Sequence, residues 1–262
     1  MSVLLKNAPV YYALAQAKFN PVAAMAKFST DIQEMMRRAG FTVYEVEDIQ
    51  NVDYGTLNDG ESAPPVVTTT KNWFFTKSDR SCGYVLGQDF LSFQSTDYLD
   101  REQFFRALCD GLKIVHEVLQ LERVFRLGIR YLNAVIPAEG ESVHQYLNPR
   151  IQGVDFGLPI LGGLWEAGYR TESGGLLIAK VYQAPNSPLG FPQDLIPRSV
   201  QLMPRFQREK PFTHAVFDMD LFVEESMPVD TAAIYEKLLG FHGDLAKCFH
   251  AIATPHAFAR WE

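Results

Sequence analysis

The stretch RVFRLGIRYLNAVI, residues 123–136, decides how the chain is read. It reads as a strand. Side chains alternate across a strand, so Phe125, Leu127, Ile129, Tyr131 and Val135 share one face. Arg126, Gly128, Arg130 and Leu132 share the other. Glycine inside a strand permits close approach by a helix, another backbone or a ligand. The two arginines are about 13 Å apart at the rise of a strand. That is too far to grip one carboxylate together, so they span a longer polyanion or take separate partners. Pairing inside the fold is the preferred reading.

Upstream, Asp100 caps a helix of about five turns, with Gln103 in capping-box position. Its apolar stripe is Phe104, Leu108, Leu112, Val115 and Leu119. Before it, NWFFTK and GYVLGQ flank the turn SDRSC as a hairpin, and FLSFQS is a third strand. APVYYALAQAKF, residues 8–19, is a first strand. Asn20-Pro21 then opens a helix, with Asn20 as N-cap and Pro21 at the first helical position. Met25, Phe28, Ile32, Met35 and Ala39 recur at helical spacing, and Gly40 closes that helix. FTVYEVE, 41–47, is a short strand, and the polar residues 48–66 read as a long surface loop.

Downstream, 142–148 reads as a short helix. LPILGGLWEAGYR and GGLLIAKVYQA make a hairpin around TESGG. Residues 184–211 hold six prolines and read mainly as loop, with a strand near 199–207. THAVFDMDLFVEE is a strand. Asp230 caps a long helix with Ile234, Leu238, Phe241, Leu245 and Phe249 inward. The fold class is α+β: antiparallel sheet with long helices on one face. Residues 1–262 form one unit, and the element order suggests two β-β-β-α pseudo-repeat halves, 1–136 and 137–262. Residue identity does not suggest the repeat.

The 262 residues are 47% hydrophobic and carry a net charge of −7. Such a chain repels nucleic acid overall, so nucleic acid is not expected as a ligand without a partner. Cys82, Cys109 and Cys248 have no metal-type spacing and fit buried thiols in a reducing cytoplasm. The N-terminus lacks the basic start of a signal peptide, and no apolar run approaches the length of a membrane span.

In THAVFDMDLFVEE, His214, Val216, Asp218, Asp220 and Phe222 share a face. Asp218 and Asp220, about 7 Å apart, are a conceivable cation pair. No third ligand lies in range, so no metal and no cofactor is expected. Asp218 and Asp220 are instead the expected partners of the arginine strand. No G-x-S-x-G, G-x-G-x-x-G or phosphate-loop pattern occurs. His242 lies four residues past Leu238, close to the apolar stripe, and reads as a core or helix-interface histidine before an acid–base one.

The succession NWFFTKSD, YVLGQDFLSFQSTDYLDREQFF, RVFRLGIRYLNAVIP and FDMDLFVEE, with a final helix bearing His242 and Phe249, resembles a sporadically distributed prokaryotic family. That family is functionally uncharacterised and of roughly 250-residue proteins. The resemblance runs from APVYYALAQAKF to FHAIAT. Its most specific elements are the Tyr98 region and R-L-G-I-R-Y-L-N. It implies that Arg130, Tyr131 and Asn133 matter, and names no catalytic residue. Its patchy distribution implies mobile genes: defence, toxin–antitoxin or biosynthetic islands. The 184–211 segment departs from the family pattern.

The functional expectation is a non-enzymatic binding or accessory protein of such a system, acting on a protein partner or on itself. The alternative is an enzyme or ligand-binding protein with a cleft between sheet and helices that takes an anionic small molecule. A third is a nucleic-acid-processing component of a defence system. The expected binding residues are Tyr98, Arg126, Arg130, Tyr131, Asn133, Asp218 and Asp220. No membrane partner is expected.

Overall fold

A computed structural model describes residues 5–53, 66–154, 156–195 and 197–262. In chain order the strands and helices are β1 (Val10–Phe19), α1 (Met25–Arg38), β2 (Val43–Asp53), β3 (Val66–Thr76), β4 (Cys82–Leu86), β5 (Phe90–Ser95), α2 (Arg101–Leu119), β6 (Arg123–Val135), α3 (Val143–Tyr146), β7 (Gly163–Arg170), β8 (Leu176–Ser187), β9 (Phe212–Val223), β10 (Met227–Pro228), α4 (Thr231–Ile252) and α5 (Pro255–Trp261). The strands join one antiparallel sheet in the order β2-β3-β4-β5-β1-β6-β9-β8-β7, with β10 also on β6. The arginine strand is therefore central, paired with β1 on one side and β9 on the other.

Alternation along β6 holds from Leu127 onward, but a register shift against β1 just before it puts Val124 in the core and leaves Phe125, expected on the Leu127 face, 38% exposed. Leu127, Ile129, Tyr131 and Val135 enter a core with Ala13, Ala15 and Ala17 of β1 and with the inner faces of α1, α2 and α4. Small alanines on β1 let the helices lie close. Gly111 of α2 plays a similar part: a Cβ there would come within 2.3 Å of the Tyr84 ring, whose hydroxyl donates to the Ala107 carbonyl at 2.5 Å. The other sheet face has a smaller core of Tyr11, Tyr12, Leu132, Ala134 and Val216. The proline-rich segment covers it, with Phe191, Leu195 and Phe206 packed inward. Backbone carbonyls of that segment are used: Gln94 donates to Arg198, Thr96 to Gln201 and Tyr11 to Gly190.

Several boundaries differ from the sequence reading. Asn20-Pro21 does not open α1, which begins at Met25 after Ala24 with no side-chain cap. The N–H groups of Phe19 and Val22 instead donate to Asp89 and Gln88, holding the chain extended past the proline. Its end is as expected. Gly40 has φ +93°, Gly40 N donates to Arg37 and Phe41 N to Met36, the Schellman arrangement. β2 continues through 48–53, paired residue for residue with β3. Its polarity reads as loop because it is an edge strand, where charge guards against stray pairing. The rest of the expected 48–66 loop, 54–65, lies outside the described residues. No strand forms near 199–207. Pro204–Phe206 is one 3-10 turn, and prolines at 197 and 204 cannot donate to a ladder. LPILG stays outside β7, which opens at Gly163, and α5 and β10 carried no strong pattern. Among the described residues no helix is long and apolar enough to cross a membrane.

Candidate functional site

The central strands and α4 enclose a pocket of about 350 Å³ on the helical face of the sheet. β6 contributes Tyr131 and Asn133, and β9 contributes Met219. α4 contributes His242, Leu245, Ala246 and Phe249, which share a helical face by their spacing. Tyr98 enters from the link into α2, and Leu5, Ala8, Pro9 and Val10, with His250, Phe258 and Glu262 near the C-terminal end, form the remaining wall. The lining is mostly apolar. A second hollow of about 810 Å³ adjoins it through Leu5, Ala8, Tyr98 and His242. Its walls are charged: Lys6, Arg101, Arg106 and Arg205 stand with Asp97, Asp100 and Glu102. Asp100 is occupied as the α2 cap, and Glu102 faces Arg106 at 4.0 Å. Among the described residues Arg101 has no ion-pair or hydrogen-bond partner.

Three polar groups meet inside the apolar pocket. The Tyr98 and Tyr131 hydroxyls are 3.3 Å apart, and the Tyr131 hydroxyl is 3.4 Å from His242 Nδ1. Strong O–H···O bonds are about 2.7–2.8 Å. These contacts are long, so much of the hydrogen-bonding capacity of the group is left for a third party. Burial, with the Arg101 charge adding, pushes the His242 pKa down to about 4. Burial raises Tyr98 to about 12 and drives Tyr131 well above the ordinary phenol value. At neutral pH all three are uncharged. The arrangement orients a polar group in an apolar setting. It does not hold an acid or base poised near pH 7.

The opposite face answers the question posed by the two arginines. They take separate partners. Arg130 Nε and Nη2 donate to the two oxygens of Asp218, both at 2.7 Å, and Nη1 donates to Asp194 at 2.6 Å. The Arg130 side chain is 9% exposed and Asp218 2%, whereas Asp194 is 64% exposed. Burial alone opposes the Arg130 charge, but the hydrogen bonds that it donates to Asp218 and Asp194 outweigh it and raise its pKa. The Asp194 carboxyl is held below the usual range chiefly by its bond to Arg130. Asp220 is directly across from Arg130 in register, yet burial raises its pKa. Arg126 donates to Gln16 at 3.1 Å and stacks on Phe222 at 4.1 Å. The space over Gly128 belongs to the same Phe222, whose Cβ would lie 2.9 Å from a Cβ at residue 128.

The expected binding residues thus divide. Tyr98, Tyr131 and Asn133 come together in the pocket. Arg126, Arg130, Asp218 and Asp220 lie on the far face, where the proline-rich segment reaches Arg130 through Asp194. Sequence reasoning underrated His242, Arg101 and Asp194. A histidine on an apolar stripe was the signal for the first. Arg101 at a helix N-terminus, where a cation is disfavoured, was the signal for the second. Asp194 had none, because it sits in a loop. Among the described residues no cluster of three His, Cys, Asp or Glu side chains is placed to hold a metal. Comparison with protein-family models, curated proteins and solved structures found no match.

Proposed function

We propose that the protein binds a small molecule with an apolar body in the pocket between the central strands and α4. The single observation that carries this reading is the Tyr98–Tyr131–His242 group, uncharged and loosely bonded within an apolar lining. The pocket volume is in the range of small-molecule sites, which are mostly apolar with a few placed polar groups. A hydroxyl, carbonyl or carboxyl of the ligand takes the hydrogen bonds. Arg101 and Lys6 in the adjoining hollow favour an anionic tail. Binding is favoured over catalysis, since Tyr98, Tyr131 and His242, the three polar groups that meet in the pocket, are all held uncharged at neutral pH.

A thermal-shift panel tests this with medium-chain aliphatic and aryl carboxylic acids, phenols and the matching amides. Acids or phenols should raise the melting temperature of the parent and not of Tyr131→Phe paired with His242→Phe. A panel with no shift, or shifts equal in both proteins, contradicts the reading.

A protein-binding role has its own support in the exposed apolar run at 156–161. An accessory place in a mobile gene system rests on the family resemblance alone. The β-β-β-α pseudo-repeat draws support from strand order: β5 returns to β1 before α2, and β9 returns to β6 before α4. Three free cysteines, two of them buried, fit a reducing cytoplasm.

A further inference from the structure

We infer that β7 is a self-association edge, at which two copies of the chain pair their sheets antiparallel about a two-fold axis at Gly168. β7 is the end of the strand order, so one row of its backbone groups meets no strand among the described residues. The hairpin fixes which groups those are. Thr171 N donates to the Gly175 carbonyl at 2.9 Å, so that pair is bonded inward. Counting back along the β7–β8 register, Leu164, Glu166, Gly168 and Arg170 turn N–H and C=O outward. Apolar surface flanks the same edge: Phe156 is 80% exposed, Leu161 94% and Leu164 57%.

Charge selects a second copy as the occupant and sets the register. Glu166 and Arg170 share a face, two positions on either side of Gly168. Pairing centred on Gly168 sets Glu166 of each copy opposite Arg170 of the other, twice by symmetry. Moving the axis to residue 166 sets Glu166 against itself. Arg170 has no ion-pair or hydrogen-bond partner among the described residues. Glu166 is half exposed and 3.4 Å from Lys180, which leaves an oxygen for a second cation. On the opposite edge, β2, the carboxylates of Glu45, Glu47 and Asp48 are already paired within the chain with Arg80, Arg198 and Lys71, and the strand has no basic residue of its own to meet them from a second copy. In the Gly168 register the 158–161 run of each copy comes toward the 171–175 turn of the other.

Sedimentation velocity on the full chain at micromolar concentration should find a species of twice 29.6 kDa. Glu166→Arg alone sets arginines against each other, and Arg170→Glu alone sets carboxylates against each other. Each variant should fall to half the parent mass while keeping the parent's far-UV circular dichroism. Mixing the two should restore the doubled mass, because each then meets the opposite charge. The inference is overturned by a parent that stays monomeric. Folded single variants that stay dimeric overturn it too, as does a mixture of folded variants that stays monomeric.

Discussion

Arg130 sets burial against charge, and the outcome predicts its mutational signature. Removing it strands Asp218, 2% exposed, without its cation. Breaking a buried pair from one side costs about 3–5 kcal/mol. Arg130→Met should lower the melting temperature by several degrees, and adding Asp218→Asn should recover part of the loss. Asp194→Asn should cost far less, since that carboxylate is largely in water. A double-mutant cycle of thermal melts checks all three, and an Arg130→Met protein as stable as the parent sinks the account of this pair. His242 predicts a pH effect. Its folded pKa, about 4, lies below the ordinary value, so between the two the unfolded chain binds a proton that the folded chain refuses. Stability therefore falls as pH drops through that window. His242→Gln should flatten the fall, and an unchanged slope in urea titrations across it would speak against a buried neutral imidazole. At this scale the sequence was half legible. Alternation along two strands put Arg130 and Asp218 in one layer. Asp194 comes from a loop whose path no periodicity encodes.

Elements were read well where one face is apolar and poorly where it is not. β6, β9, α2 and α4 each bury one side against the core, so their period survives in the sequence. The second half of β2 is an edge, and its polar sequence resembles a loop. The start of α1 was misplaced because backbone bonds from 19 and 22 to the β4–β5 turn override the Asn-Pro signal. Two glycines mark close contacts between elements. Gly111→Ala should gain helix propensity yet destabilise, since its Cβ would meet the Tyr84 ring at 2.3 Å. Overpacking of this kind costs about 1–3 kcal/mol. Gly128→Ala should lose a similar amount against Phe222, and Arg126 should lose its stack with it. Chemical denaturation of both variants tests this, and either one matching the parent would mean that α2 or β9 yields at little cost.

For the whole molecule, the α+β class followed from the elements, and the strand order did not. Nothing local says that β1 lies between β5 and β6, or that the proline-rich segment crosses the face opposite the helices. The pocket was illegible for the same reason: its walls come from six separate stretches. Tyr98, Tyr131 and His242 meet only when β6, α2 and α4 are stacked. The buried and half-buried thiols carry a related prediction. Burial pushes Cys109 up to about 12 and Cys248 to about 11, so both should react slowly with thiol reagents in the native protein. Fast stoichiometric labelling of all three cysteines would contradict such packing. The pocket itself is tested most directly by fluorescence titration with anilinonaphthalene sulfonate, an aromatic body with an anionic end. The parent should bind one equivalent saturably. Ala246→Trp, which fills the cavity from α4, and Ala8→Phe, which fills it from the facing wall, should each abolish that binding while keeping native circular dichroism. Dye binding that persists undiminished in both folded variants would place the dye elsewhere, on the exposed 156–161 run, and would contradict a ligand site between the central strands and α4.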